Sequence, residues 1–507
     1  MLTNDDTIAA IATPAGAGGI GIVRVSGSQA PDILTKLFCR RQDSGPWHSH
    51  HLYLGRVVAP HSGALLDQAL AVLMLAPNSY TREHVAELHC HGGPAVLAQV
   101  LAACLAAGAR LAARGEFTLR AFLNGALSLD EAEAVADLVS AKTSAAARLA
   151  AQGLQGALSS RLEPLEQGLL TMLAELTVAV DFPDDADVPA RAELLARIEA
   201  LRARIEELLA GAEAGRIYRE GFNVVLAGTS NVGKSSLLNR LLQAERAIVT
   251  ASPGATRDII EESLNLDGLP LLLRDTAGLR QAQTLDEAEE LGMQRSLAAL
   301  RTAQLILVVA DAARGLDDTA RDLLTQYAGV APTTSERAAA EDAAAEDAVA
   351  EYDTAMGAIA SGITMEDAVH NAPMFLVLNK CDLLTADELA ALQESLRARF
   401  ATPEIVTVSA KTGAGLEALK AKIKEKVLGA AAESGREPLL ANIRHQQALQ
   451  SAYACLDEAR QTLADGLPPD MAMIDLENAY AALGEISGKT VSEEVLTKIF
   501  AEFCVGK

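Results

Sequence analysis

Apolar positions along the chain fall into short blocks, then long periodic stretches, then short blocks and periodic stretches again. Residues 7–12, 20–25, 69–75 and 85–91 are short apolar runs, several of them bounded by glycine or proline. Runs of that length predict strands. Gly92-Gly93-Pro94 then leads into a predicted helix from Ala95. From 124 to 217, apolar residues recur every three or four positions, which predicts long helices over 129–147, 155–180 and 194–209. Asp181-Phe182-Pro183-Asp184-Asp185 breaks the pattern. Between 218 and 430 short apolar strands return, at 222–227, 271–274, 374–378 and 405–408. Residues 446–463 and 471–483 are helical once more. The expected fold class is therefore mixed, α/β and α. An N-terminal α/β domain spans 1–123, and a helical bundle is contributed by 124–217 and 431–507. A further α/β domain, 218–430, is inserted into that bundle, with a parallel-rich sheet and helices on both faces. Residues 331–371 are Ala-rich and acidic, with Arg337 their only Lys or Arg. So long a connection is unusual in a compact domain and reads as an inserted excursion without a catalytic role.

Composition narrows the class of partner. The formal net charge is -24, so a broad basic surface for RNA or DNA is not expected. If the chain works on nucleic acid, a partner supplies much of the grip. Aromatic residues make up only 3%, so the core must be built mostly from Ala, Leu, Val and Ile. The start of the chain has no basic, signal-type pattern, and no apolar run is long enough to span a bilayer. Cys39, Cys90, Cys104, Cys381, Cys455 and Cys504 are scattered without a C-x-x-C pair. Reduced thiols in a cytoplasmic protein, without a zinc site, are expected. His89 and His91 flank Cys90, but in a strand they share one face while Cys90 points to the other. They read as packed or surface histidines. The glycine loop 13–19 lacks G-x-G-x-x-G spacing and lies between strands, which argues against a dinucleotide site.

The strongest chemical signal is Gly228-Thr229-Ser230-Asn231-Val232-Gly233-Lys234-Ser235, a G-x-x-x-x-G-K-S phosphate loop. It follows the predicted strand 222–227 and opens a helix beginning with Ser236 and Leu237. The glycines let successive backbone N–H groups turn towards phosphate oxygens, and the helix N-terminus adds its positive end. Lys234 would reach the β- and γ-phosphates, and the Ser235 hydroxyl would ligate Mg²⁺. Asp275-Thr276-Ala277-Gly278 ends a strand as D-x-x-G. Here Asp275 would hold Mg²⁺ through water, and the Gly278 N–H would sense the γ-phosphate. Asn379-Lys380-Cys381-Asp382 reads N-K-x-D, and the Asp382 carboxylate suits the paired N1–H and N2–H donors of guanine. Ser409-Ala410-Lys411 would present a backbone N–H to guanine O6. Together these select GTP over ATP. Thr256, between the phosphate loop and Asp275, is the best second Mg²⁺ ligand. The inserted domain is thus expected to be a Ras-like P-loop GTPase domain.

Hydrolysis needs an oriented water. Leu279 follows Gly278 and cannot supply the glutamine used by Ras-like proteins. Asp286, Glu287, Glu289 and Glu290 are the acidic candidates for a general base. No arginine finger is evident, and Asn231 would help bind a monovalent cation in its place.

Several stretches outside the GTPase motifs carry a resemblance. They are 6–8 through 16, Gly21-Ile22-Val23-Arg24-Val25-Ser26-Gly27, Glu87-Leu88-His89-Cys90-His91-Gly92-Gly93-Pro94, 114–125 and the ending Phe503-Cys504-Val505-Gly506-Lys507. In these the chain resembles the MnmE (TrmE) family of bacterial tRNA modification GTPases over essentially its whole length. The resemblance implies a folate-binding N-terminal domain, a central helical domain and a homodimer. It further implies assembly with MnmG, a partner that carries FAD, into a heterotetramer or larger complex. Together the two proteins would modify wobble uridine 34 of certain tRNAs at carbon 5, adding a carboxymethylaminomethyl or aminomethyl group. The one-carbon unit would come from 5,10-methylenetetrahydrofolate, with 5-formyltetrahydrofolate as a related ligand. The tRNA would be held mainly through the partner. By position, the implied K⁺ ligands are Asn231, Thr250, Ser252 and Ala255, and the implied water-orienting acid is Glu289. The implied folate contacts are Arg24, Glu87 and Lys507. The chain departs from the family at Ala126, where lysine is usual, at Ala15 and Ala17, and in 331–371. Cys504, near the implied folate site, reads either as a reactive thiol or as a packing cysteine. The competing reading is a regulatory GTPase switch of the ribosome-assembly type, whose flanking domains only bind partners.

Overall fold

The computed structural model describes residues 6–41, 45–182, 189–229, 231–244, 261–275, 300–328, 372–400, 404–433 and 440–506. They divide into two compact units. The first draws on 1–141, 147–215 and 437–507, and the second on 142–146 and 216–436. Elements below are numbered over the described residues.

The first unit opens with β1 (Ile8–Ile11), β2 (Gly18–Ser26), α1 (Ala30–Leu37), β3 (Phe38–Arg40), β4 (Leu52–Val58), β5 (Leu65–Met74), β6 (Val85–Gly92), α2 (Pro94–Ala106), β7 (Arg110–Leu111) and α3 (Glu116–Leu123). The strands form one sheet in the order β3-β4-β5-β6-β2-β1-β7. All pairings are antiparallel except β1 with β7. Alternation decides its two faces. Val23, Val25, Ala71, Leu73, Leu88 and Cys90 pack against Ile33 and Leu34 of α1 and Leu97 and Val100 of α2. The intervening positions, among them Arg24, Leu54, Leu70, Glu87 and His89, lie on the other face. β3 and β7 were not predicted because they are too short to show a period. β4 was missed because apolar residues occupy both of its faces.

The helical part begins with α4 (Leu129–Ser140), α5 (Ser144–Leu154), α6 (Ser159–Asp181), α7 (Arg191–Leu209) and α8 (Ala212–Glu220). The single helix expected over 129–147 is two helices. The first starts at a capping box of Ser128 and Glu131. The second starts where the Thr143 hydroxyl accepts the Ala146 N–H at 3.1 Å. The helix expected from 155 begins only at Ser159, because Gly156 takes a positive φ of 74°.

The second unit contains β8 (Phe222–Ala227), α9 (Lys234–Ala244), β9 (Glu261–Leu266), β10 (Leu269–Asp275), β11 (Leu305–Asp311), α10 (Asp318–Ala328), β12 (Met374–Asn379), α11 (Ala386–Arg399), β13 (Glu404–Thr407) and α12 (Leu416–Glu433). Its sheet runs β13-β12-β11-β8-β10-β9. Only β9 is antiparallel to its neighbour. Separate apolar clusters fill its two sides, one including Leu237, Leu241, Leu419 and Ile423, the other Leu323, Leu324 and Leu396. β11 was not anticipated. The insertion 331–371 lies outside the described residues.

The chain closes with α13 (Ile443–Ala464), α14 (Met473–Ser487) and α15 (Glu493–Ala501). The start expected for α14 at 471 falls in a turn of 3₁₀ helix over Pro469–Ala472. Leu165, Leu169 and Leu176 of α6, Ile198 and Ile205 of α7, Leu449 and Leu456 of α13, and Leu476 and Leu483 of α14 share one core. Their three- and four-residue spacing is the stripe read in the sequence. α4 is tied to α13 by polar contacts. The buried Glu133 accepts hydrogen bonds from His445 Nε2 at 2.6 Å, Arg444 Nη2 at 2.5 Å and Asn442 Nδ2 at 2.9 Å. Burial alone would raise the Glu133 pKa, but its bonds to His445 and Arg444 outweigh that and lower it to about 2.

Candidate functional site

β8, β10, β11, β12 and β13 are parallel, so their C-terminal ends share one edge of the sheet. The chain places β10 on one side of β8 and β11 on the other, and ligands bind where the strand order switches in this way. The phosphate loop leaves β8 at this edge. Asn231 has a positive φ of 70° and Gly233 one of 95°. A Cβ on Gly233 would also collide with the Asn379 amide nitrogen. Lys234 opens α9 and is 4% exposed. Its Nζ donates to the Gly228 and Thr229 carbonyls, each at 2.6 Å. Ser235 and Ser236 sit exposed in the first turn of α9. β10 brings Asp275 level with Leu226 at the loop's edge.

The base end is tied to the phosphate end. Asn379 is 1% exposed, and its Nδ2 donates to the Val232 carbonyl at 2.9 Å. Its Oδ1 accepts the backbone N–H groups of Lys380 at 2.8 Å and Ala410 at 3.0 Å. Lys380 Nζ bridges the Asn231 carbonyl at 3.0 Å and Asp311 at 2.7 Å. Burial raises the Asp311 pKa, but the Lys380 bond and the Ala313 N–H outweigh it, so its carboxyl sits below the usual range. The exposed Asp382 carboxylate accepts the buried Ser409 hydroxyl at 2.6 Å. One end of the carboxylate is thereby fixed while its face stays towards solvent. The Ser409 hydroxyl in turn accepts the Thr412 N–H at 3.1 Å. Lys411 is exposed in this loop.

A second polar cluster lies in the first unit. Arg24 of β2 and Glu87 of β6 are cross-strand partners on the face away from α1 and α2. Arg24 Nε donates to Glu87 Oε1 at 2.8 Å, and His89 Nε2 meets Glu87 Oε2 at 3.0 Å. Burial pushes the Glu87 carboxyl up, but the His89 bond and the Arg24 charge outweigh it and hold it below its ordinary value. The Arg24 guanidinium also stands 5.7 Å from the centroids of the Tyr80 and Phe117 rings. The C-terminal tail completes the cluster. Val505 bridges to Arg114, and the Gly506 carbonyl lies 3.5 Å from Arg24 Nη1. Gly506 has a positive φ of 96°, and a Cβ there would strike the Ile11 carbonyl. His91 pairs instead with Asp67 at 2.7 Å.

Two family models match the chain. Residues 129–504 match the MnmE helical domain family, and residues 7–126 match the GTP-binding protein TrmE N-terminus family. The tRNA modification GTPase MnmE of Geobacter sulfurreducens is 42% identical over 509 residues, 99% of each chain. That of Symbiobacterium thermophilum is 43% identical over 506 residues, covering 99% of this chain and all of that one. Among solved structures, Era of Aquifex aeolicus is 21% identical, covering 46% of this chain and 66% of that chain at a TM-score of 0.26. The chain belongs to the MnmE family of tRNA modification GTPases.

Of the residues expected to form an MnmE nucleotide site, Gly228, Asn231, Val232, Gly233, Lys234, Ser235, Ser236, Asn379, Lys380, Asp382, Ser409, Ala410 and Lys411 converge on one sheet edge. Asp275 arrives there by its backbone. Thr250, Ser252, Ala255, Thr256, Thr276, Ala277, Gly278 and Glu289 lie outside the described residues, as does Lys507. Arg24 and Glu87 pair directly. Cys504 is exposed, not packed. Sequence reasoning missed Asp311 and also Asp317. The Asp317 carboxylate accepts the Thr229 hydroxyl at 2.6 Å while capping α10 through the Ala320 N–H at 2.8 Å. An aspartate before a helix was a readable cap, but its reach to the phosphate loop was not. Tyr80 and Phe117 carried no signal, since single aromatics at those positions read as core. Among the described residues, no helix is long and apolar enough to cross a membrane.

Proposed function

We propose that this chain is a potassium-stimulated GTPase that works with the FAD-containing partner MnmG. Together they add a carboxymethylaminomethyl or aminomethyl group at carbon 5 of wobble uridine 34 in certain tRNAs, using a folate one-carbon unit. The observation that carries this reading is the Arg24–Glu87–His89 cluster, closed by the C-terminal tail, in a chain that also has a guanine-type nucleotide site. A regulatory switch needs only the second of these.

At the nucleotide site, Ser235 and Thr256 would hold Mg²⁺, and Asn231, Thr250, Ser252 and Ala255 would hold K⁺. The exposed Asn231 and Ser235 suit hard cations, which take oxygen ligands. Bound there, the cations would neutralise charge on the phosphates. The Lys234 ammonium already sits within the loop that is to cradle those phosphates, and Glu289 would orient the attacking water. Asp382 would read guanine. Replacing potassium by sodium should slow hydrolysis, and equal rates in the two salts would remove the Asn231 assignment.

In the N-terminal domain, Glu87 would accept from the donors of a pterin ring, while Arg24 and Lys507 would face the anionic glutamyl tail. A homodimer would cover the exposed apolar residues Leu52 (51% exposed), Leu54 (44%) and Leu70 (38%), which lie on the same face of the sheet as Arg24. The net charge of -24 favours a partner that holds the tRNA. The deciding experiment is a calorimetric titration of the full chain with 5-formyltetrahydrofolate, repeated on Arg24→Ala. The reading predicts saturable binding that the substitution lowers at least tenfold. Absence of folate binding by protein that binds GTP would favour the switch.

A further inference from the structure

The phosphate loop is tied from outside at several points. The Val232 carbonyl accepts Asn379 Nδ2 at 2.9 Å, and the Asn231 carbonyl accepts Lys380 Nζ at 3.0 Å. Both ties run to the N-K-x-D segment after β12, so the residues that frame the base also hold the loop. A further tie runs elsewhere, to the turn between β11 and α10. Thr229 Oγ1 donates to Asp317 Oδ2 at 2.6 Å, a length typical of a hydroxyl on a carboxylate. The other oxygen, Asp317 Oδ1, accepts the Ala320 N–H at 2.8 Å and caps α10. The carboxylate is thus fixed at both oxygens, one on the helix and one on the loop.

An acid in this position needs a reason. It carries the same sign as the phosphates the loop is to hold, so Coulomb repulsion counts against it. Capping is not reason enough, because serine caps a helix about as well as aspartate. What aspartate adds is the second oxygen and its reach to Thr229. The Thr229 carbonyl, together with that of Gly228, accepts Lys234 Nζ, each at 2.6 Å. Holding the Thr229 side chain therefore also holds the carbonyl that seats the Lys234 ammonium. We infer that Asp317 is a positioning residue for GTP hydrolysis, setting the phosphate loop and Lys234 through Thr229 before nucleotide arrives. Its benefit is the loop entropy already lost in the empty protein, which nucleotide then need not offset. The inference rests on reading 228–235 as the phosphate site.

The test is calorimetric titration of the full chain with GDP and Mg²⁺, joined to steady-state GTP hydrolysis and a melting curve. Asp317→Ser keeps the cap of α10 but is too short to serve Thr229 as well. It should weaken GDP roughly tenfold, the worth of one hydrogen bond to a charged group, with Tm as in wild type. Removing a repulsive charge alone would tighten GDP instead, so the sign of the change decides between the two. The isosteric Thr229→Val should lose as much, and Thr229→Ser, which restores the hydroxyl, should recover most of it. The double variant Thr229→Val with Asp317→Ser should bind far better than the two single losses multiplied, since both remove one contact. In hydrolysis the loss should fall on KM more than on kcat, because the loop is set alike for substrate and transition state. Unchanged or tighter GDP binding by Asp317→Ser, independent losses in the double variant, or no recovery with Thr229→Ser would each overturn the inference. Failure of the wild type to bind GDP would overturn the phosphate-site reading itself, and this inference with it.

Discussion

At the scale of single residues, the guanine reading depends on how firmly Asp382 is aimed. A carboxylate exposed on a loop would lose conformational entropy on meeting the base. The Ser409 hydroxyl restrains it beforehand, and the Thr412 N–H restrains the hydroxyl. Ser409→Ala should therefore weaken GDP by about tenfold, the worth of one hydrogen bond to a charged group. Glu289→Ala should do the opposite, slowing hydrolysis by roughly 10²–10⁴-fold with GDP affinity nearly intact. Equilibrium binding and single-turnover hydrolysis on both variants separate aiming from chemistry. Equal turnover in wild type and Glu289→Ala would show that another group positions the water.

At the scale of elements, much of the fold was legible because burial imposes a period. β8 occupies the predicted 222–227, and all its positions except Asn223 are buried. The α6 stripe of Leu162, Leu165, Leu169 and Leu176 was visible as helical spacing. β11 had the same kind of signal in its wholly buried Leu-Ile-Leu-Val-Val-Ala-Asp run and was overlooked. What the pattern could not show was pairing between distant residues. Nothing local in Glu133 marks it as the partner of Arg444 and His445. The residues expected to contact folate were named by resemblance, and only the sheet register made Arg24 and Glu87 neighbours. The contact between α4 and α13 also has a pH signature. The Glu133 pKa is lowered from 4.5 to about 2 on folding, so its stabilisation is complete above the unfolded value and is lost as pH falls from 4.5 towards 2. That shift corresponds to on the order of 3 kcal/mol. Glu133→Gln should lower the Tm of the unit holding these helices at pH 7, and the deficit should shrink as the pH approaches 3. A deficit constant with pH would place the effect in packing instead of charge.

At the scale of the molecule, a nucleotide unit is inserted between two stretches of chain that share one helical core. The C-terminal residues after that core return to the N-terminal sheet, where Gly506 stands beside Arg24. One compact unit thus carries both the helices that flank the GTPase in sequence and the Arg24–Glu87 cluster. Under the proposed function, nucleotide turnover in the middle of the sequence is joined covalently to the part that would do one-carbon chemistry. The central claim is that guanine recognition at Asp382 governs modification of the wobble uridine. Asp382→Asn exchanges an acceptor for a donor, which suits xanthine, whose 2-position carries an oxygen where guanine carries an amine. The most direct measurement is mass-spectrometric detection of modified uridine in tRNA incubated with MnmG, reduced folate and either the wild type or Asp382→Asn. The account predicts that wild type works with GTP and not ATP, and that the variant works with xanthosine triphosphate and poorly with GTP. Modification by wild type without nucleotide, or unchanged GTP dependence in the variant, would contradict it.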